Sequence, residues 1–222
     1  LTKYDSTHGR FPAEVSGSND QLRVNGDLIA VSHHQQLSDL PWAANTIDVV
    51  LECSGNFDRY QQLQAHLDVG AKRVLLSQPG EADIKALVYG VNEQSLGGND
   101  SIVSAASCTS NCIVPVIQVL DRAFNIESGI ITTIHSVMND QPVIDAYHHT
   151  DLRKTRAASQ SIIPVDTGLA EGVGRILPAL HGRFSARALR VPTINVSAVE
   201  LAIQVSQPQS VEAVNIALQE AA

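Results

Sequence analysis

A chain of 222 residues, 44% hydrophobic and 17% charged, is long enough to bury one large core or two small ones. Its 23 acidic against 15 basic residues give a formal charge of −8, which argues against a nucleic-acid or anionic-membrane surface as partner. Three cysteines in no paired framework point to a reducing compartment such as the cytoplasm, and no run of about 18 apolar residues, export signal, internal repeat or low-complexity tract is found.

In chain order, Tyr4 to Arg10 is polar and reads as a loop, and Gln21 to Val31 reads as two strands around an Asn25-Gly26 turn. Ile47 to Cys53 is a near-continuous apolar strand of the kind buried in a parallel sheet. Ser54-Gly55 closes it, and Tyr60, Leu63, Ala65 and Leu67 form a helical stripe that stops at Gly70. Arg73 to Ser77 is the next strand, followed by Ala86 to Tyr89 and by Ile102-Val103. Strand, helix and strand at these lengths predict an open parallel sheet, whose ligands sit at the carboxyl ends of its strands. Gly55 and Ser77 stand at such ends, although each is equally an ordinary turn residue.

Ile102 to Ser104 leads into Ser107-Cys108-Thr109-Ser110-Asn111-Cys112, and Ile113 to Phe124 carries Val116, Val119, Leu120 and Ala123 at helical spacing. Cys108 is thereby placed where a strand turns into a helix. Free N–H groups and the helix dipole favour thiolate there, the dipole by roughly 0.3–1 kcal/mol and at most about 2. A second source of positive charge is needed, and His135 supplies one at the end of the strand-like run Gly129 to His135. A lone cysteine is more often a small buried apolar residue. Cys112, among Ile113, Val114 and Val116, and Cys53, at its strand end, are read in that way.

Ser136 to Asp166 shows little periodicity, and so long a connection is usually functional or an assembly element. Leu169 to Leu180 reads as a helix, Ala186 to Arg190 and Ser197 to Val205 as strands, and Ser210 to Ala222 as a final helix. Thr167-Gly168 offers a hydroxyl and free backbone donors at a helix start, and Lys154 and Arg190 offer charge for an anion. Taken singly, each basic residue reads as a solvated surface charge. Gly172-Val-Gly174 imitates the start of a dinucleotide fingerprint, but no strand precedes it and Leu177 stands where the third glycine belongs.

Ala106-Ser-Cys108-Thr-Ser-Asn-Cys112 resembles the active-site motif of the glyceraldehyde-3-phosphate dehydrogenase superfamily. Tyr4 to Arg10, Pro41-Trp42, Thr132 to His135, Arg156 to Gln160, Ile162 to Pro164, Asp166 to Gly168 and Arg190 to Val196 fall in the same order as in that superfamily. The resemblance implies an α/β fold, with a partial Rossmann-like parallel sheet (1–106) followed by an α+β catalytic domain with a mixed sheet (107–222). It implies NAD as cofactor, no metal, Cys108 as nucleophile and His135 as base. Ser107, Cys108, Thr109, Lys154, Thr167, Gly168 and Arg190 align with substrate and anion contacts. Gln35, Ser54, Gly55 and Ser77 align with positions near the dinucleotide. Gln35 replaces an arginine, which weakens that contact, and Lys154 replaces another, leaving a point charge without a fork. The dinucleotide fingerprint is expected upstream of Leu1 and a further segment after Ala222, so the chain reads as an internal stretch. The 136–166 segment is expected to pack in a homotetramer.

Within the superfamily, His135 to Gln141, Val143 to Tyr147 and Ser161 to Thr167 resemble the branch that oxidises erythrose 4-phosphate to 4-phosphoerythronate on the route to pyridoxal phosphate. Met138 stands where the glycolytic branch has a phosphate-binding threonine. Phosphorylating oxidation of a triose phosphate is the alternative, and a chain that keeps only folding or subunit contacts is the alternative of another class.

Overall fold

The computed structural model of the chain describes residues 2–148 and 150–222. It divides into two compact units, the first ending at Leu40 and the second running from Pro41 to Ala222. In the first, β1 (Tyr4–Asp5) and β2 (Gly9–Arg10) pair antiparallel where a loop was expected. The Asp5 carboxylate accepts the Thr7 and His8 N–H groups and so closes the hairpin. β3 (Val15–Gly17), β4 (Gln21–Val24) and β5 (Asp27–Ala30) form an antiparallel meander. Asn25 and Gly26 both have positive φ, 50° and 92°, as a type I′ hairpin turn requires.

The second unit holds a parallel sheet of β6 (Val49–Glu52), β7 (Arg73–Leu76), β8 (Lys85–Ala86) and β9 (Ile102–Ser104), in the order β6-β7-β9-β8. β6 is shorter than the apolar run that predicts it, and it lies on the edge. Val50 and Glu52 point inward, while Val49 and Leu51 are 48% and 64% exposed, so the strand is not buried on both faces. β8 covers two residues rather than four. The Asn92 side chain accepts the Val88 N–H and donates to the Ala86 carbonyl, turning the chain away from the sheet.

α1 (Tyr60–Asp68) buries Leu63 and His66 against this sheet. It ends in a left-handed Gly70 (φ 106°), with Gly70 N–H on the Leu67 carbonyl and Ala71 N–H on that of His66, a Schellman arrangement. The core here is Val50, Leu63, Val74, Leu76, Ile84 and Ile102, flanked by Trp42, Phe57 and Leu67.

A mixed sheet follows, in the order β11-β12-β10-β13, from β10 (Ile126–His135), β11 (Ile163–Val165), β12 (Phe184–Arg190) and β13 (Ala198–Val205). β10 and β12 run parallel and the other pairs antiparallel. α2 (Cys108–Phe124), α3 (Leu169–Ile176) and α4 (Val211–Ala221) belong to this half, and Ser210 caps α4 by accepting the Ala213 N–H. A 3-10 turn, Pro178–Leu180, completes the stretch read as one helix from Leu169.

The buried face of α2 is Ser110, Ile113, Val114, Ile117 and Leu120, whereas Ala123 is exposed and Val116 and Val119 are half-buried. This shift of the buried stripe also corrects the expectation for Cys112. At four residues from Cys108 it shares that residue's outward face and is exposed. Cys53, at the open end of an edge strand, is exposed as well. Among the described residues no helix is long and apolar enough to cross a membrane.

Candidate active site

The turn from β9 into α2 is held in a costly conformation. Ala106 has φ 58°, sparsely populated by non-glycine residues, and it persists because its neighbours over-determine it. Its N–H donates to Ser104 Oγ, which donates to the Gln78 carbonyl at 2.6 Å. Asn111 Nδ2 reaches back to the carbonyls of Ala105 and Ser107 at 2.7 and 2.9 Å. Ser107 then caps α2, its Oγ accepting the Ser110 N–H at 3.0 Å and lying 3.0 Å from Thr109 Oγ1. Cys108 is the first helical residue, where N–H groups lack intrahelical acceptors.

His135 arrives from the other side, at the C-terminal end of β10, and its Nε2 lies 3.6 Å from Cys108 Sγ. Its Nδ1 lies 2.8 Å from the Ser136 carbonyl, which only accepts, so the neutral ring keeps its hydrogen on Nδ1 and presents the Nε2 lone pair to the thiol. Transfer of the thiol proton to Nε2 yields a thiolate facing an imidazolium. β10 and β12 run side by side, so Arg190 is the register partner of His135 and a cation is delivered to the same end of the sheet. Arg190 Nε is buried without a hydrogen-bond partner, which suits an anion binding there.

A cleft of about 320 Å³ opens over this pair. It gathers Ser77, Ser107, Cys108, Thr109, His135, Thr167 and Arg190 of the residues assigned from sequence. Gly168, the N-cap of α3, lines an adjoining cavity of about 390 Å³ with Ser107, Thr109 and Thr167. Thr167 Oγ1 accepts the Leu169 N–H, leaving its own hydrogen to donate. Arg175 of α3 donates to the carbonyls of Gly80, Glu81 and Ile84, fastening the connection after β7 to that helix.

Lys154 lines neither cavity. Its Nζ lies 2.7 Å from Asp140 Oδ2. Burial pushes the Asp140 carboxyl up, but the Lys154 hydrogen bond and charge, with the Arg190 charge, outweigh it and hold the group below the ordinary carboxylate range. Gln35 belongs to the first unit and is exposed. Ser54 and Gly55 form the turn after β6; Gly55 has φ 75°, and the Gln78 side-chain oxygen lies 3.8 Å from where a Cβ would sit. That left-handed, open backbone at the carboxyl end of a parallel strand fits close approach by a dinucleotide.

Gln78, Pro79, Thr133, Val165 and Ala188 also line the cleft and were missed. Counting back by two along the strand from His135 gives Thr133, whose register partner is Ala188, so the period of two carries that signal. Among the described residues, no group of His, Cys, Asp and Glu side chains is arranged to hold a metal ion.

Residues 107–222 match the family model of the glyceraldehyde 3-phosphate dehydrogenase C-terminal domain, and residues 1–60 match that of the glyceraldehyde 3-phosphate dehydrogenase NAD binding domain. The second match makes NAD the cofactor. With a cysteine and histidine in contact and a cation beside them, the chain belongs to the glyceraldehyde 3-phosphate dehydrogenase family of NAD-dependent oxidoreductases.

Proposed function

We propose that this protein is a D-erythrose-4-phosphate dehydrogenase, which oxidises the aldehyde of D-erythrose 4-phosphate to 4-phosphoerythronate. Cys108 Sγ, having passed its proton to His135, adds to the aldehyde carbon. The new oxyanion is met by the Cys108 N–H and by the imidazolium Nε2–H. NAD, when bound, would supply the acceptor for the hydride. The imidazolium gives its proton to that oxyanion, and His135 takes it back as the hydride leaves and the carbonyl re-forms, leaving a thioester on Cys108. Once His135 has released that proton to solvent, its neutral ring deprotonates the water that adds to the thioester carbonyl, and the Cys108 thiolate leaves as the acid forms. Arg190, beside His135, and Thr167 hold the substrate phosphate, and the Ser107 and Thr109 hydroxyls border the carbonyl end.

The observation that carries the substrate reading is Met138. Its side chain lines the cleft just past His135, 43% exposed, and it has no hydrogen to donate where the glycolytic branch has a phosphate-binding threonine. A site that loses this donor binds inorganic phosphate poorly, and water becomes the acyl acceptor. Comparing kcat/KM for erythrose 4-phosphate and glyceraldehyde 3-phosphate, each with and without phosphate, tests the reading. Preference for the tetrose without a phosphate requirement is expected; an absolute phosphate requirement with the triose preferred assigns the protein to the phosphorylating branch. The reading includes residues 1–106 as the cofactor half, residues 107–222 as the catalytic half, and a cytoplasmic homotetramer that sedimentation at micromolar concentration checks. A non-catalytic chain would have no use for the strained Ala106 turn that seats Cys108 against His135.

A further inference from the structure

Glu52 ends β6 with its side chain only 6% exposed, against the His66 ring at 3%. An indole N–H only donates, and Trp42 Nε1 lies 3.1 Å from His66 Nδ1, so Nδ1 is the acceptor. The ring hydrogen is thereby on Nε2, which donates to Glu52 Oε2 at 3.1 Å. The other carboxylate oxygen, Oε1, accepts the Ser54 N–H at 2.7 Å, and the Glu52 backbone carbonyl accepts the Ser77 N–H at 3.0 Å. One residue therefore ties down the turns that follow two neighbouring parallel strands. Within the first turn, Ser54 Oγ accepts the Asn56 N–H, and Gln78 of the second donates to the Phe57 carbonyl.

A carboxylate buried on the same side of β6 as the core residue Val50 is costly unless its oxygens are fully used. An apolar residue of similar volume would join β6 to α1 without that cost. What the carboxylate adds is a fixed acceptor for the Ser54 N–H. We infer that Glu52, itself held by His66 and Trp42, is a positioning residue for the cofactor site, fixing the Ser54–Gly55 turn against which the dinucleotide lies. The inference rests on the reading that this turn faces NAD.

The test is NAD binding by calorimetry for the wild type, E52Q and G55V, alongside steady-state kinetics, Cys108 alkylation rate and thermal melting. In E52Q an amide faces two donors that each need an oxygen, so its NH2 opposes one of them. The dissociation constant and KM for NAD are expected to rise about tenfold. The turnover at saturating NAD, the KM for the aldehyde and the alkylation rate stay unchanged, a split that a general loss of structure would not give. Wild-type NAD affinity in folded E52Q, with G55V weakened, overturns the role of Glu52. Wild-type affinity in both variants overturns instead the reading of the turn as a cofactor site. If E52Q does not fold, E52D, which keeps the charge but falls one methylene short of Ser54, carries the same comparison.

Discussion

Cys53, Cys108 and Cys112 are all exposed, so access does not separate them; the imidazole 3.6 Å from Cys108 Sγ does. Alkylation at pH 6 followed by peptide mapping is expected to label Cys108 well before the other two, and equal labelling of all three would remove the case for an activated thiol. His135→Asn keeps a polar side chain at the end of β10 but removes the proton acceptor. It is expected to slow acylation of Cys108 by roughly 10²–10⁴, read as the rate of the NADH burst. Cys108 itself was legible from its place between an apolar strand and a helix. The exposure of Cys112 was not, because α2 places Ile113, Ile117 and Leu120 rather than Val116 and Ala123 against the sheet, a rotation that the even scatter of apolar residues conceals. Lys154 shows the same limit. Its partner Asp140 is a loop residue whose proximity only the folded 136–166 segment creates.

That segment is an element in its own right, held by carboxylate and cation pairs more than by a core. Arg153 bridges Asp151 and Asp166, Arg156 meets Asp145, and Lys154 meets Asp140. Because Asp140 titrates below its unfolded value, the pair contributes stability that is present above the ordinary carboxylate pKa of about 3.9 and lost as pH falls through the lower folded value. Asp140→Asn is thus expected to melt below wild type at neutral pH, with the difference shrinking below about pH 4; a difference independent of pH down to acid unfolding would contradict the pairing. In α1 the end was readable from Gly70 alone. A Cβ there would lie 2.7 Å from Ala43 Cα and 2.8 Å from its nitrogen while the backbone sits at φ 106°. Gly70→Ala is expected to cost at least about 1–3 kcal/mol in denaturant unfolding, and a neutral result would mean that the turn relaxes.

At the scale of the whole molecule, strands and helices alternating at short spacing announced a parallel sheet, because the two periodicities are local properties, whereas the mixed sheet of the later strands was implied by the family resemblance. Strand order was not legible. That β6 lies at an edge, and that β12 inserts between β11 and β10, are set by long-range pairing that no local pattern records. The site inherits its geometry from that order, since His135 and Arg190 are side by side only because β10 and β12 are neighbours. The chemistry proposed for it requires an acyl group on one sulfur. The most direct measurement is acid quenching during turnover of erythrose 4-phosphate with NAD, followed by mass analysis of the peptides. The mass of a 4-phosphoerythronyl group is predicted on the Cys108 peptide, matched by a burst of NADH and absent from His135→Asn at the same early times. Turnover without any acyl adduct, or an adduct on Cys53 or Cys112 in place of Cys108, would contradict the mechanism.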